Sequence, residues 1–209
     1  MNIYFINGLS HYSSWIPDAQ RVYSIEEADL VIGEGGADVH PLFYKQENKY
    51  SYSDRFRDIK EYNDYSKAIK LNKPILGICK GSQWACVLAG GALFQDVTDH
   101  GRSHEVSTFN GETIQVTSTH HQMADLRNLV EGEDYILLGW SSGISRYYKN
   151  GISDNNICER EPEFVYYPKI NALGIQSHPE MVRTSEENPY HNFCKKVLYE
   201  NLLHRQLSV

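Results

Sequence analysis

The sequence predicts an α/β fold: a mostly parallel central sheet with helices on both faces, and an antiparallel extension in the second half. Three observations carry this reading. Over the first ninety residues, strand-like apolar runs alternate with segments of helical period, the order of a parallel sheet. "PILGI" at 74–78 is an almost continuous apolar run, as in a strand buried on both faces. Beyond residue 100, "HEVSTFNGETIQVTST" alternates around Asn110–Gly111, a hairpin signal.

The elements follow in order. "NIYFI" at 2–6 and "ADLVIGEGG" at 28–36 read as strands, and the polar stretch between them has room for a short helix. In "DRFRDIKEYNDYSKAIKLNK" at 54–73, Phe56, Ile59, Tyr62, Tyr65 and Ile69 recur at three- and four-residue steps, which predicts an amphipathic helix closed by Pro74. Residues 80–90 return to helical spacing through Trp84, Val87 and Leu88 and stop at Gly90–Gly91. "DYILLGWSS" and "EFVYYPKINALGIQS" read as strands, the second turning at Pro168–Asn171. A closing amphipathic helix from Pro189 carries Tyr190, Phe193, Cys194, Val197, Leu198 and Leu202. With no repeat, low-complexity run or linker, one domain over 1–209 is expected.

Composition narrows the function. At 209 residues and 41% hydrophobic, the chain can bury a sizeable core. A formal charge of −7 without a basic block argues against a nucleic-acid surface, which needs clustered Lys and Arg. No apolar stretch reaches the length of a membrane span, and the N-terminus lacks the basic and apolar regions of a signal peptide. Cys79, Cys86, Cys158 and Cys194 show no CxxC spacing, so neither a zinc site nor a disulfide framework is expected. Reduced thiols in a cytoplasm follow.

Four stretches could carry chemistry. In "LGICKGSQ" a buried strand runs into G-x-C-x-G and then a helix, the pattern of a nucleophile elbow. A free thiol ionises near pH ~8.5, and a helix N-terminus or a neighbouring His lowers that value. The Lys80 amide would point where an oxyanion forms. On this segment alone, Cys79 as nucleophile and Cys79 as a buried core residue remain equal readings. In "LGIQSHPE" an apolar strand ends at His178, with Glu180 two residues on to orient the ring; a surface His–Pro turn is the competing reading. Both motifs end buried strands, and parallel strands place such ends on one side of a sheet, where α/β folds bind ligands. "GEGGADVHP" at 33–41 lacks GxGxxG spacing and suits an oxyanion-binding glycine loop better than a dinucleotide loop. "THHQM" at 119–123 reads as a substrate-wall loop or an exposed polar turn; its adjacent histidines make a poor metal pair without further ligands. The tyrosines of "SRYYKNG" and "FVYYPK" read as packing rather than a pocket rim, and Cys86, Cys158 and Cys194 as structural.

Taken together, these segments resemble the class I glutamine amidotransferases, and most closely the branch of γ-glutamyl-γ-aminobutyrate hydrolase and other γ-glutamyl peptidases (peptidase C26). The matches are ordered over most of the chain: "GEGGADVHPLFY", "DRFRDIKEY", "LGICKGSQ", "GGALFQDV", "STHHQM" and "ALGIQSHPE". The resemblance implies a flavodoxin-like three-layer sandwich with an antiparallel extension. It implies Cys79 as nucleophile, His178 as base and Glu180 as its partner in a Cys-His-Glu triad. It implies oxyanion contacts from Gly35, Gly36 and the Lys80 amide, with Gln83, His121 and Gln122 holding the ends of a glutamyl group. No cofactor or metal is implied. Two departures stand out: Ser177 replaces the usual aromatic before the histidine, which would widen the pocket, and Glu34 replaces a common serine, which would place a carboxylate near the substrate.

Three functions follow as expectations: a free-standing hydrolase of γ-glutamyl amides, acting on glutamine or a γ-glutamyl amine through a thioester; a glutaminase component that passes ammonia to a separate synthetase; and a catalytically silent binding module. The complete set of three residues argues against the last.

Overall fold

The computed structural model describes residues 1–151, 158–183 and 188–204. Its strands are β1 (Asn2–Phe5), β2 (Gln20–Val22), β3 (Leu30–Gly33), β4 (Ile75–Ile78), β5 (Ala92–Phe94), β6 (Asp96–Val97), β7 (His104–Thr108), β8 (Thr113–Val116), β9 (Met123–Asp125), β10 (Ile136–Ser141), β11 (Tyr148–Lys149), β12 (Glu161–Tyr167) and β13 (Ala172–Ile175). The helices are α1 (Arg55–Lys70), α2 (Lys80–Leu88) and α3 (Pro189–Lys196), the last continued by a wider turn over Val197–Leu202.

Nine strands form one sheet in the order β2-β1-β3-β4-β13-β12-β10-β7-β8. From β2 to β13 the neighbours are parallel; from β13 to β8 they are antiparallel. The expected division between a parallel half and an antiparallel extension therefore falls at β13. Alternation along the strands feeds two cores. Leu30, Ile32, Leu76 and Ile78 share one with α3 residues Phe193 and Cys194, whereas Val31 and Ile75 share the other with Tyr65 of α1 and Trp84 of α2.

Local chemistry fixes the helix ends. Asp54 caps α1 by accepting from the Phe56 and Arg57 amides, and Asn188 caps α3 ahead of Pro189. The hairpin turns where expected, with Gly111 at φ +84°. Tyr148, Tyr166 and Tyr167 are buried, in keeping with packing.

The stretch between β1 and β3 holds the short helix it has room for, a one-turn 3-10 helix at Ser10–Ser13, and adds the edge strand β2. One expectation is corrected. On α1 the helix is where periodicity places it, but its face is not. The buried side is Asp58, Glu61, Tyr65 and Ala68, while Phe56, Ile59 and Tyr62 are exposed. The cause lies in the buried side chain of Lys80, which pairs with Asp58 and Glu61.

Candidate active site

Strands β4 and β13 are adjacent and in parallel register, Gly77 opposite Gly174 and Ile78 opposite Ile175. Their C-terminal ends deliver Cys79 and, three residues past β13, His178. The Cys79 amide donates to the Ile175 carbonyl at 2.8 Å, so the turn after β4 is tied to the strand that carries the histidine.

Cys79 has φ +53° and ψ −106°, backbone territory that side chains resist. Its flanking glycines are required by close approach. A Cβ at Gly77 would lie 2.2 Å from the Gly81 carbonyl oxygen, and one at Gly81 would lie 2.1 Å from the Gly33 carbonyl oxygen. The start of α2 thus rests directly on the backbone of β3 and β4. Cys79 makes no side-chain cap on α2, so its thiol stays available at a helix N-terminus.

His178 is buried, and its Nδ1 pairs with Glu180 Oε1 at 2.7 Å. Thr117 fixes the histidine backbone twice, donating to its carbonyl at 2.9 Å and accepting from its amide at 3.2 Å. Nε2 is buried without a conventional hydrogen-bond partner. Burial alone would lower the imidazole pKa, but the sulfur of Cys79 and the carboxylate of Glu180 outweigh it and raise the value to about 10. The protonated ring is therefore the favoured form of His178.

Cys79, His178, Gln83, His121, Gln122 and Gly36 line one small cavity of about 150 Å³, together with Asp38, Thr119 and His120. Gly35 packs beside it: a Cβ there would sit 2.7 Å from the Tyr12 hydroxyl and 3.2 Å from His178 Cε1. Gln83 Nε2 donates to the Gln122 carbonyl at 3.1 Å. The Gln122 side chain is committed to the protein. It accepts from the Val39 amide and donates to Ser51, so it braces the glycine loop. Opposite the cysteine and its histidine stand Asp38 and His121, paired at 3.0 Å. Hydrogen bonding to Asp38 raises the His121 pKa.

Both departures from the family pattern lie elsewhere. Glu34 is buried away from the cavity, accepting from the Asn7 and Leu9 amides at 2.9 Å each. Ser177 accepts from the Tyr190 hydroxyl at 2.7 Å on the α3 side of the sheet. Neither widens nor charges the pocket, contrary to expectation.

Sequence reasoning used Lys80 only for its amide. Its side chain is buried, 2.6 Å from Asp58 and 2.8 Å from Glu61. Glu61 also accepts from Trp84, Asn7 and Arg57, and the Arg57 guanidinium reaches the Gly35 carbonyl at 2.8 Å. Burial would raise the Glu61 carboxyl, but Lys80, Asn7 and Arg57 hold it below its usual range. One ionic network therefore ties Lys80, the residue after Cys79, to the glycine loop. Asp58 and Glu61, three apart on a helix and followed later by a Lys beside the cysteine, were the available signal.

The same fold occurs in solved structures. A glutamine amidotransferase of Thermotoga maritima aligns with TM-score 0.57 and 16% identity, covering 98% of this chain and 84% of that one. A Thermoplasma acidophilum protein, assigned provisionally to GMP synthase as one of its subunits, aligns with TM-score 0.60 and 17% identity, covering 94% and 90%. The architecture is thus that of the glutamine amidotransferases, flavodoxin-like in its layers. The Peptidase C26 family model matches residues 16–126, and the chain belongs to that family. Among relatives, the glutamine amidotransferase-like protein YvdE of Lactococcus lactis is 29% identical over 176 residues, covering 81% of this chain and 71% of its own. Protein NtpR of Enterococcus hirae is 26% identical over 187 residues, covering 77% and 70%.

Proposed function

We propose that this protein is a cysteine-dependent hydrolase of γ-glutamyl amide bonds, built as one domain over residues 1–209. The observation that carries the reading is Cys79, held at positive φ on an uncapped helix N-terminus, sharing a cavity with a histidine that Glu180 orients at 2.7 Å.

The steps follow from these positions. The Cys79 thiolate attacks the γ-carbonyl carbon, and its oxygen becomes an oxyanion that accepts from the Lys80 amide and the Gly35–Gly36 loop. His178, protonated at Nε2, gives that proton to the departing nitrogen as the C–N bond breaks. The neutral ring then takes a proton from water, which attacks the γ-glutamyl thioester and releases glutamate and the thiolate. Asp38 offers a carboxylate to the substrate ammonium, and His121 and Gln83 stand beside it as donors to the substrate carboxylate. A reducing compartment, the cytoplasm, keeps the thiol competent.

The test is glutamate release from glutamine and from a panel of γ-glutamyl amines, with Cys79→Ala alongside. The variant should lose at least about 10³-fold in rate, because members of such a set act as a unit. Activity that survives the substitution would overturn the assignment. A second reading, ammonia delivery to a synthetase, draws on the Thermoplasma neighbour's assignment to a synthase. It predicts weak glutaminase activity that rises sharply when a partner is added.

A further inference from the structure

Behind the cavity wall lies a second cluster. Glu163 on β12 is fully enclosed, with Oε1 2.9 Å from His104 Nε2, 3.2 Å from His100 Nδ1 and 3.9 Å from His120 Nε2. Its Oε2 has no hydrogen-bond partner. These residues come from β7, β12 and the loops before β7 and β9, so no spacing in the chain announces them. The expected weakness of His120–His121 as a metal pair was the lack of further ligands, and the fold supplies them from elsewhere.

We propose that His100, His120 and Glu163 hold a divalent transition-metal ion, zinc being the best fit to this donor set. Among the described residues, one ligand atom from each lies within 4.8 Å of the others, and all three side chains are buried.

The ring orientations support a cation. His120 Nδ1 lies 2.8 Å from the Gln122 carbonyl, which can only accept, so Nδ1 carries the proton. The neutral ring then presents its lone pair at Nε2, buried and without a partner. His104 differs: its Nδ1 lies 3.1 Å from the Arg102 carbonyl, and its Nε2 donates to Glu163 Oε1 at 2.9 Å, a hydrogen bond that orients the carboxylate. The His120 lone pair and the Glu163 carboxylate thus meet in a closed space, an arrangement that a cation would stabilise.

His100 completes the set. Its Nδ1 faces Glu163 and its Nε2 lies 3.5 Å from Glu161. Glu161 is itself held by the Ile144 and Ser145 amides and the Tyr148 hydroxyl. Carboxylate–histidine–metal chains and histidines oriented by backbone carbonyls are the ordinary outer shell of a zinc site. Tetrahedral bonds of ~2.1 Å bring ligand atoms to about 3.4 Å apart, a modest contraction of the present cluster.

Such an ion would anchor the 118–122 loop. Ser118 donates to the His100 carbonyl, His120 is a ligand, and its neighbour His121 reaches the cavity. His120 also lines the cavity of the proposed reaction, but the test of the metal site needs no substrate.

The experiment uses full-length Cys79→Ser protein, which removes the cavity thiol as a competing ligand. After chelator treatment it is titrated with zinc by calorimetry and with cobalt by visible spectroscopy. We expect one equivalent of zinc per chain, a higher melting temperature with zinc, and the intense visible bands of tetrahedral cobalt. Glu163→Gln and His120→Gln should each weaken uptake by at least about 100-fold. No uptake by the folded protein would overturn the proposal and leave the cluster bridged by protons. A weak octahedral cobalt spectrum, or uptake unchanged in a folded Glu163→Gln, would also overturn it by pointing to surface histidines. Should both variants fail to fold, stoichiometry and the cobalt spectrum of the Cys79→Ser protein decide.

Discussion

At φ +53° and ψ −106°, Cys79 sits in a conformation that glycine accepts and a side chain resists, so local strain is stored under the proposed nucleophile. Cys79→Gly should therefore be more stable than Cys79→Ala by about 1 kcal/mol, although both are inactive. A glycine variant that melts lower would remove the strain from the account. Glu180 acts on the histidine through Oε1, its Oε2 being unpartnered. Glu180→Gln should lower kcat by about 10²-fold or more, because the ring loses its orienting anion, and should also lower the melting temperature, because a buried ion pair is broken. Steady-state kinetics and a thermal melt, run together, check both halves. At this scale Cys79, His178 and Glu180 were legible as a motif set. Asp38, which lines the cavity, was not legible as a site residue, because an acid in a glycine loop has no signature of its own. Glu34 and Ser177 misled for the complementary reason: their positions in the motifs were right, but which way each side chain turns is set by tertiary packing.

The elements show where periodicity reads well and where it fails. β4, α2 and the β7–β8 hairpin lie where apolar runs and turn residues place them, because burial and φ > 0 at Gly111 act locally. On α1 the apolar stripe indicated the wrong side. The helix buries Asp58 and Glu61 to meet Lys80 and Trp84, an ionic demand from another element that no helical wheel of α1 contains. Lys80→Met would leave those two carboxylates desolvated and without their ammonium partner, and should cost about 3–5 kcal/mol in urea unfolding. Gly81→Ala forces a methyl into the Gly33 carbonyl, a backbone atom with little room to yield. It should destabilise by about 1–3 kcal/mol, with proposed activity falling as α2 is pushed off β3.

For the whole molecule, the His178 proton ties stability to pH. Its pKa is raised from 6.5 in the free side chain to about 10 in the fold, so the folded state binds the proton more tightly. That contribution is fully present below pH 6.5 and is lost as pH climbs toward 10. The urea midpoint should fall across that window, and the fall should be shallower in His178→Gln. Equal slopes in the two proteins would assign the alkaline loss elsewhere.

The parallel pairing of β4 with β13 has a last consequence. Cys79 and His178, the proposed nucleophile and base, follow neighbouring strands of one hydrogen-bond ladder, whose spacing of ~4.8 Å is a property of backbone rather than of side chains. The loops that line the cavity, through Gly36 and Asp38 on one side and residues 119–122 on the other, are bound to each other by side-chain contacts such as Gln122 with Val39 and Ser51. Under the proposed reaction, reactivity and selectivity are thus written in different materials, and the loops can be re-addressed to a new amine while the sheet keeps Cys79 and His178 side by side.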